Sequence, residues 1–250
     1  GLVIDGVFGS TISLVFYSYL WRKNYLNINY PEESKYRKKT LLLLKIGMPS
    51  ALEQLLLQVG FVIFTIAIAS YGSDVLAAYG LGLNVLTLIL ITSLAFSMSG
   101  AVIVGQYLGR GEPEIAYQQG WRACRFCVAF MSFFGVIFYL FNHEIAALLT
   151  SDVNVQRHTA KFLLIIAFSM PLIATDFTIG GAIRGAGETT FPLIISLITL
   201  LLVRIILPFI FIKLNLSVTA LFVLTGADFF IKAIFMTIYF RKRKWQNKAF

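Results

Sequence analysis

From Ala77 to Gly109 the chain carries no charged side chain. An α-helix rises about 1.5 Å per residue, so about 20 residues cross the roughly 30 Å hydrocarbon core of a bilayer. This stretch therefore spans a membrane with length to spare for tilt or extension. Six further apolar segments accompany it: Leu2–Leu20, Gly47–Ser70, Phe126–Phe141, Phe162–Ile183, Phe191–Ile212 and Val218–Phe240. In lipid every backbone N–H and C=O must find a partner within its own segment, so all seven are read as helices. The fold class is all-α and integral to the membrane, a polytopic helical bundle. Only 13% of residues are charged and 58% are hydrophobic, against about 25% and under half in soluble domains. A soluble enzyme and a disordered chain are excluded, and two cysteines, Cys124 and Cys127, make no disulfide scaffold.

Basic residues outnumber acidic ones by 21 to 12, and their placement excludes a nucleic-acid stripe. They collect at span ends on alternate sides, the pattern that orients spans with positive loops in the cytoplasm. Arg22, Lys23, Lys35, Arg37, Lys38, Lys39 and Lys45 follow the first segment. Arg110, Arg122 and Arg125 mark the next inner connection, Arg184 the third, and Arg241–Lys244 with Lys248 the tail. Tyr71–Val75 has no basic residue, His143–Lys161 has only Arg157 and Lys161, and Lys213 stands alone, so these connections face outward. The chain reads as multi-pass in the cell's inner membrane with a cytoplasmic C-terminus.

The connection over residues 21–46 is long and basic, and its apolar run Leu41–Leu44 suits a helix lying in the cytoplasmic interface. Four parts result: residues 1–20, the last span of a preceding unit; the linker 21–46; a six-helix unit over 47–240; and the basic tail 241–250. The chain opens on Gly1 inside an apolar run with no signal-peptide pattern, so it is expected to begin partway through a longer protein.

Within the six spans from Gly47 to Phe240 stand five charged residues: Glu53, Asp176, Arg204, Asp228 and Lys232. Such residues are costly in lipid and are candidates for function by default. Glu53, Asp176 and Lys232 lie at comparable depth and are expected to share a layer if their helices adjoin. Arg204 and Asp228 are each about twelve residues from the inner end of their span and are expected to pair. Lys232 follows Asp228 by four, so an intrahelical ion pair competes with the shared layer. Pro171, five residues before Asp176, withholds an N–H and frees a carbonyl, which suits cation coordination or proton exchange near that carboxylate. Gln54, Gln58 and Asn84, with Ser97, Ser99, Gln106, Thr175 and Thr178, either line a polar cavity or join helices by hydrogen bonds. The 23 Phe and 11 Tyr offer walls for cationic ligands by cation–π contact or simply face lipid.

Enzyme signatures fail one by one. His143-Glu144 lacks the second histidine of a zinc-protease motif, and Cys124-x-x-Cys127 stands alone at a span end. Gly185-Ala186-Gly187 follows a helix and no phosphate-loop lysine accompanies it. Neither a catalytic constellation nor a metal site nor a cofactor motif is legible.

Three short stretches look familiar. Gly47-Met48-Pro49-Ser50-Ala51-Leu52-Glu53-Gln54 opens the second segment. Gly105-Gln106-Tyr107-Leu108-Gly109-Arg110-Gly111-Glu112 closes the third. Ala182-Ile183-Arg184-Gly185-Ala186-Gly187-Glu188-Thr189-Thr190-Phe191-Pro192 joins the fifth and sixth. On their own terms the glycines Gly109, Gly111, Gly185 and Gly187 permit tight turns, and Glu188–Thr190 before Pro192 reads as a capped helix start. Together they resemble the second half of the multidrug and toxic compound extrusion (MATE) family, over nearly the whole chain. The resemblance implies a twelve-helix antiporter of two six-helix lobes, of which the last six spans here form the second and the first lobe is missing. It implies exchange of H⁺ or Na⁺ for organic, often cationic, small molecules by alternating access, with no cofactor beyond the coupling ion. Some members carry a coupling carboxylate on the spans matching those of Glu53 and Asp176; here Glu53 lies about one turn early and Asp176 about one turn late. Two other functions compete: a flippase for lipid-linked oligosaccharides of the same superfamily, and a non-transporting membrane scaffold. The balance of three intramembrane acids against two bases favours export of cations, since a flippase cavity meets phosphates with basic residues.

Overall fold

The computed structural model describes residues 33–248, and the first apolar segment, Leu2–Leu20, lies outside them. The chain divides into two compact units, residues 1–44 and 45–250. The described residues of the first are helical. The second holds the spans.

Six helices are long and apolar enough to cross a membrane among the described residues. They are α1 (Glu33–Ala69, apolar from Gly47), α2 (Ser73–Gly109), α3 (Pro113–Leu140), α5 (Val153–Gly185), α6 (Thr190–Lys213) and α7 (Val218–Arg241). A short helix α4 (Asn142–Leu149) connects α3 to α5. No strand occurs among the described residues. The expected fourth segment, Phe126–Phe141, is thus corrected. The helix begins at Pro113, whose missing N–H costs nothing in a first turn. Arg122 and Arg125, read as loop residues, stand on that helix, where long guanidinium side chains reach the headgroup level from an apolar stem.

Local chemistry explains the breaks. The α2–α3 turn reverses at Gly111 (φ +77°), with Glu112 N–H donating to Tyr107 C=O at 2.9 Å. The α5–α6 turn repeats this at Gly187 (φ +82°), where Glu188 N–H donates to Ile183 C=O at 3.2 Å. Left-handed backbone of this kind favours glycine. Gly185, by contrast, is not a turn residue: it ends α5, and a Cβ there would overlap the Ala101 carbonyl oxygen of α2. Gly181 meets the Ser97 carbonyl oxygen in the same way. Small residues on α5 let it approach the α2 backbone directly, as in other membrane helix pairs. The start of α6 is capped by Glu188, whose Oε1 accepts from the N–H groups of Thr190 and Phe191 at 3.1 Å each. Asp152 caps α5 likewise through Asn154 and Val155.

Helix α5 is the central element and packs against α2, α3, α4 and α7. One core holds the ring cluster of Phe64, Tyr79, Phe162 and Phe222, with Phe162 and Phe222 edge to face at 5.0 Å between centroids. A second core lies where the Gly111 and Gly187 turns gather, around Val104, Cys124, Ile183 and Phe240. There Trp245 is buried, stacked on Phe240 at 4.8 Å with its indole N–H on the Phe240 carbonyl at 3.0 Å. Part of the expected tail is therefore packed in a 3₁₀ turn, Lys244–Lys248. At the other end Tyr71 donates its hydroxyl hydrogen to the Leu216 carbonyl at 3.1 Å.

Halfway along α6 the helix widens into a π segment, Leu200–Ile206. Pro208 has no N–H for the Arg204 carbonyl and its ring needs room there, and Leu207 N–H bonds back to Leu202, five residues earlier.

Candidate functional site

Two charged clusters lie side by side within the bundle. The first surrounds a cavity of about 240 Å³ that draws side chains from five helices. Its lining includes Glu53 and Gln54 of α1, Ser97 of α2, Asp176 and Arg184 of α5, Ser196 of α6 and Lys232 of α7. Arg184 Nη1 is shared by both carboxylate oxygens of Glu53, at 3.0 and 3.1 Å. Its Nη2 donates to Ser97 Oγ at 3.2 Å, and Ser196 Oγ donates to Glu53 Oε1 at 3.4 Å. The Glu53–Arg184 pair thereby ties α1, α2, α5 and α6 together, the carboxylate reaching α6 and the guanidinium reaching α2. The pair is partly buried, so water screens it less than a surface pair.

Asp176 lies about 12 Å along the α5 axis from Arg184 and is buried in the same wall. Among the described residues no cation stands within ion-pair distance of it, while Lys232 faces it across the cavity lining. The arrangement pairs Glu53 with a resident guanidinium and leaves Asp176, among the described residues, without a cation at ion-pair distance.

The second cluster is drier. Arg204 Nε and Nη2 donate to Asp228 Oδ2 at 2.9 and 2.8 Å, and Lys232 Nζ lies 3.4 Å from Asp228 Oδ1. All three side chains are almost wholly buried. The Arg204 guanidinium lies over the rings of Phe61 at 4.6 Å and Phe64 at 5.7 Å, contacts that favour a desolvated cation. Its Nη1 finds no acceptor among the described residues, and the buried Tyr79 hydroxyl stands beside it. A gap of about 10 Å³, room for roughly one water, lies between the clusters against Ser196, Arg204, Asp228 and Lys232. Lys232 belongs to both clusters.

Of the residues singled out from the sequence, Glu53, Gln54, Asp176 and Lys232 meet at the cavity, and Arg204, Asp228 and Lys232 meet in the dry cluster. Gln58 and Asn84 do not join either; both are exposed on this chain. Pro171 does not serve Asp176. The carbonyl it deprives of a donor is that of Ala167, nine residues before Asp176, and it abuts Gly135 of α3. Arg184, read as a loop marker, is the principal cation of the cavity. Its signal in the sequence was spacing: eight residues past Asp176 is a little over two turns, close to the same face.

Six membrane-length helices around a charge-lined interior define the class: a multi-pass helical membrane protein. The MatE family model matches residues 49–210, so the chain belongs to the MATE family, whose members are transporters and not enzymes. Relatives include the probable multidrug resistance protein NorM of Thermotoga maritima, 26% identical over 211 residues, 83% of this chain and 45% of that protein. The multidrug resistance protein NorM of Burkholderia vietnamiensis is 31% identical over 157 residues, 61% of this chain and 34% of that protein. Among solved structures, the Vibrio cholerae MATE transporter VcmN in its bent form matches with a TM-score of 0.76 and 23% identity. The match covers 96% of this chain and 54% of that one. The MATE transporter ClbM in complex with Rb⁺ matches at 0.75 with 20% identity, over 85% and 51% of the two chains. The chain spans about half the length of the relatives it matches.

Proposed function

We propose that this chain forms the second lobe of a secondary active efflux antiporter, exchanging H⁺ or Na⁺ for organic, often cationic, compounds by alternating access. The observation that carries the reading is the cavity at Glu53, Arg184, Asp176 and Lys232. Two carboxylates and two fixed cations share one partly enclosed space inside a bundle where each uncompensated charge is expensive. A scaffold has no use for such a cost. At about 240 Å³ the cavity is smaller than the roughly 300–1,000 Å³ of sites for drug-sized ligands. It suits a coupling ion and its waters, while the substrate chamber forms against the other lobe, with Gln58 and Asn84 on the exposed face. The fold neighbour ClbM is in complex with Rb⁺, which supports a monovalent cation as a ligand of this architecture.

In this scheme Asp176 takes the coupling ion. Its neutralisation removes the longer-range attraction between the Asp176 carboxylate and Lys232 across the cavity, weakening the hold of α5 on α7 and biasing the lobe toward its other state. The Arg184–Glu53 pair holds four helices and persists through the cycle. The excess of Lys and Arg at the end bearing the Gly111 and Gly187 turns supports a cytoplasmic placement of that end in the inner membrane.

The test is ethidium efflux from vesicles holding the full-length protein, with a proton gradient and a sodium gradient imposed separately. Efflux driven by either gradient is expected, and it names the coupling ion. A membrane-inserted, folded protein that moves ethidium under neither gradient refutes the antiport.

A further inference from the structure

At the end of the bundle bearing the Gly111 and Gly187 turns, α3 and α7 enclose an open pocket of about 590 Å³, lined by Tyr117, Gln118, Trp121, Arg122, Arg125 and Arg241. None of these takes part in the cavity described above. Three guanidinium groups converge here, and among the described residues none of the three pairs with a carboxylate. Arg241 lies over the Trp121 ring at 5.6 Å. The pocket is built rather than incidental. Arg243 bonds Glu114 at 2.6 and 3.2 Å and lies over Tyr117 at 4.1 Å, and Gln246 Nε2 donates to the Pro113 carbonyl. These contacts fasten the end of α7 to the start of α3 and occupy the Glu114 carboxylate with Arg243 rather than with any of the three pocket arginines.

The depth of the pocket identifies its ligand. From Trp121 to Leu140, α3 rises about 29 Å, one hydrocarbon thickness. Trp121, Arg122, Arg125 and Arg241 then stand at headgroup level, where Trp and Tyr also gather. Below Arg122 at helical spacing run Phe126, Phe130 and Phe133, all exposed on this chain. A cationic pocket opening onto an aromatic stripe matches a ligand with an anionic head and an apolar tail.

We propose that this pocket binds the phosphate of an anionic phospholipid of the surrounding bilayer, with its acyl chains along the α3 phenylalanines. Arg122 and Arg125 from one helix and Arg241 from another offer forked donors to the phosphate oxygens, and Trp121 and Tyr117 form the floor. Basic pockets between spans on the cytoplasmic side are suited to such headgroups. The proposal is independent of what the protein transports.

The experiment is lipid binding by the purified full-length protein, delipidated in detergent and titrated with phosphatidylglycerol or phosphatidylcholine, bound lipid being counted by mass spectrometry. Phosphatidylglycerol is expected to bind preferentially. The affinity should fall about fivefold for each arginine removed, and further at raised salt. The R122Q/R125Q variant tests α3. Arg241→Gln, in an exposed last turn, tests α7 without touching α3 should the double variant fail to fold. Equal binding of the two lipids, or unchanged binding in both variants, overturns the proposal. Displacement of phosphatidylglycerol by inorganic phosphate at the same concentration also overturns it, since the site would then read phosphate alone.

Discussion

Removing Asp228 from the dry cluster should cost far more than removing Arg204, although they are the two halves of one ion pair. Arg204 and Lys232 both lean on the Asp228 carboxylate, at 2.8 and 3.4 Å. Asp228→Asn leaves two buried cations facing each other with no counter-charge. Stripping a partner from a buried pair costs about 3–5 kcal/mol, and the Arg–Lys repulsion places this case toward the upper figure. Arg204→Met leaves Asp228 paired with Lys232. It forfeits the guanidinium bonds and the contacts with Phe61 and Phe64, but relieves the unpartnered Nη1 and packs a similar volume, so about 1–2 kcal/mol is expected. Arg204→Met combined with Asp228→Leu should lie between, because it removes a pair and leaves only Lys232 uncompensated. Thermal unfolding of the full-length protein in detergent reads the ranking, at about 2–4 °C per kcal/mol for a unit of this size. A loss for Arg204→Met equal to or larger than that for Asp228→Asn would refute the reasoning, since it would mean that Lys232 does not share the carboxylate.

The other predictions follow from single contacts. Asp176→Asn in the complete protein should abolish ion-coupled ethidium efflux at normal expression; unchanged efflux removes Asp176 from the mechanism. Glu53→Gln and Arg184→Gln should each weaken the bundle, with a coupling of about 1–2 kcal/mol in a double-mutant cycle on thermal stability; additive losses would deny the pair. Gly185→Val should destabilise by about 1–3 kcal/mol or block folding, because its side chain meets the Ala101 backbone of α2 and not a movable side chain; a stability equal to wild type would show that α2 and α5 do not close there. Glu188→Ala should cost about 1 kcal/mol by leaving the first N–H groups of α6 without their cap, seen as a fall in melting temperature of about 2–4 °C.

Some features were legible without coordinates because they depend on neighbours along the chain. Apolar length alone, in a medium that offers the backbone no hydrogen bonds, dictates helices, and each of the six segments read from Gly47 onward falls in one among the described residues. Lys232 and Asp228 are four apart, which by helical geometry sets them side by side. Gly111 and Gly187 could be read as turn residues because the left-handed backbone that a tight reversal needs excludes most other side chains. Three short local stretches, Gly47–Gln54, Gly105–Glu112 and Ala182–Pro192, carried the MATE resemblance.

What depends on which helices touch was not legible. Arg184 looked like any basic residue at a span end until α1 brought Glu53 within 3.0 Å. Gly185 looked like a turn glycine until α2 was laid against it. Gln58 and Asn84 carry the same chemistry as Gln54, yet Gln58 stands a full turn, about 6 Å, further along the same face of α1 and Asn84 stands on α2 thirteen residues before Ser97, so neither reaches the cavity. The sequence by itself determined that this is a bundle of membrane helices and which residues are too expensive to be idle. Only the tertiary structure decided which charges share a partner, because a helix presents its side chains to neighbours that lie far away in the sequence, and no periodicity along one helix encodes the face of another.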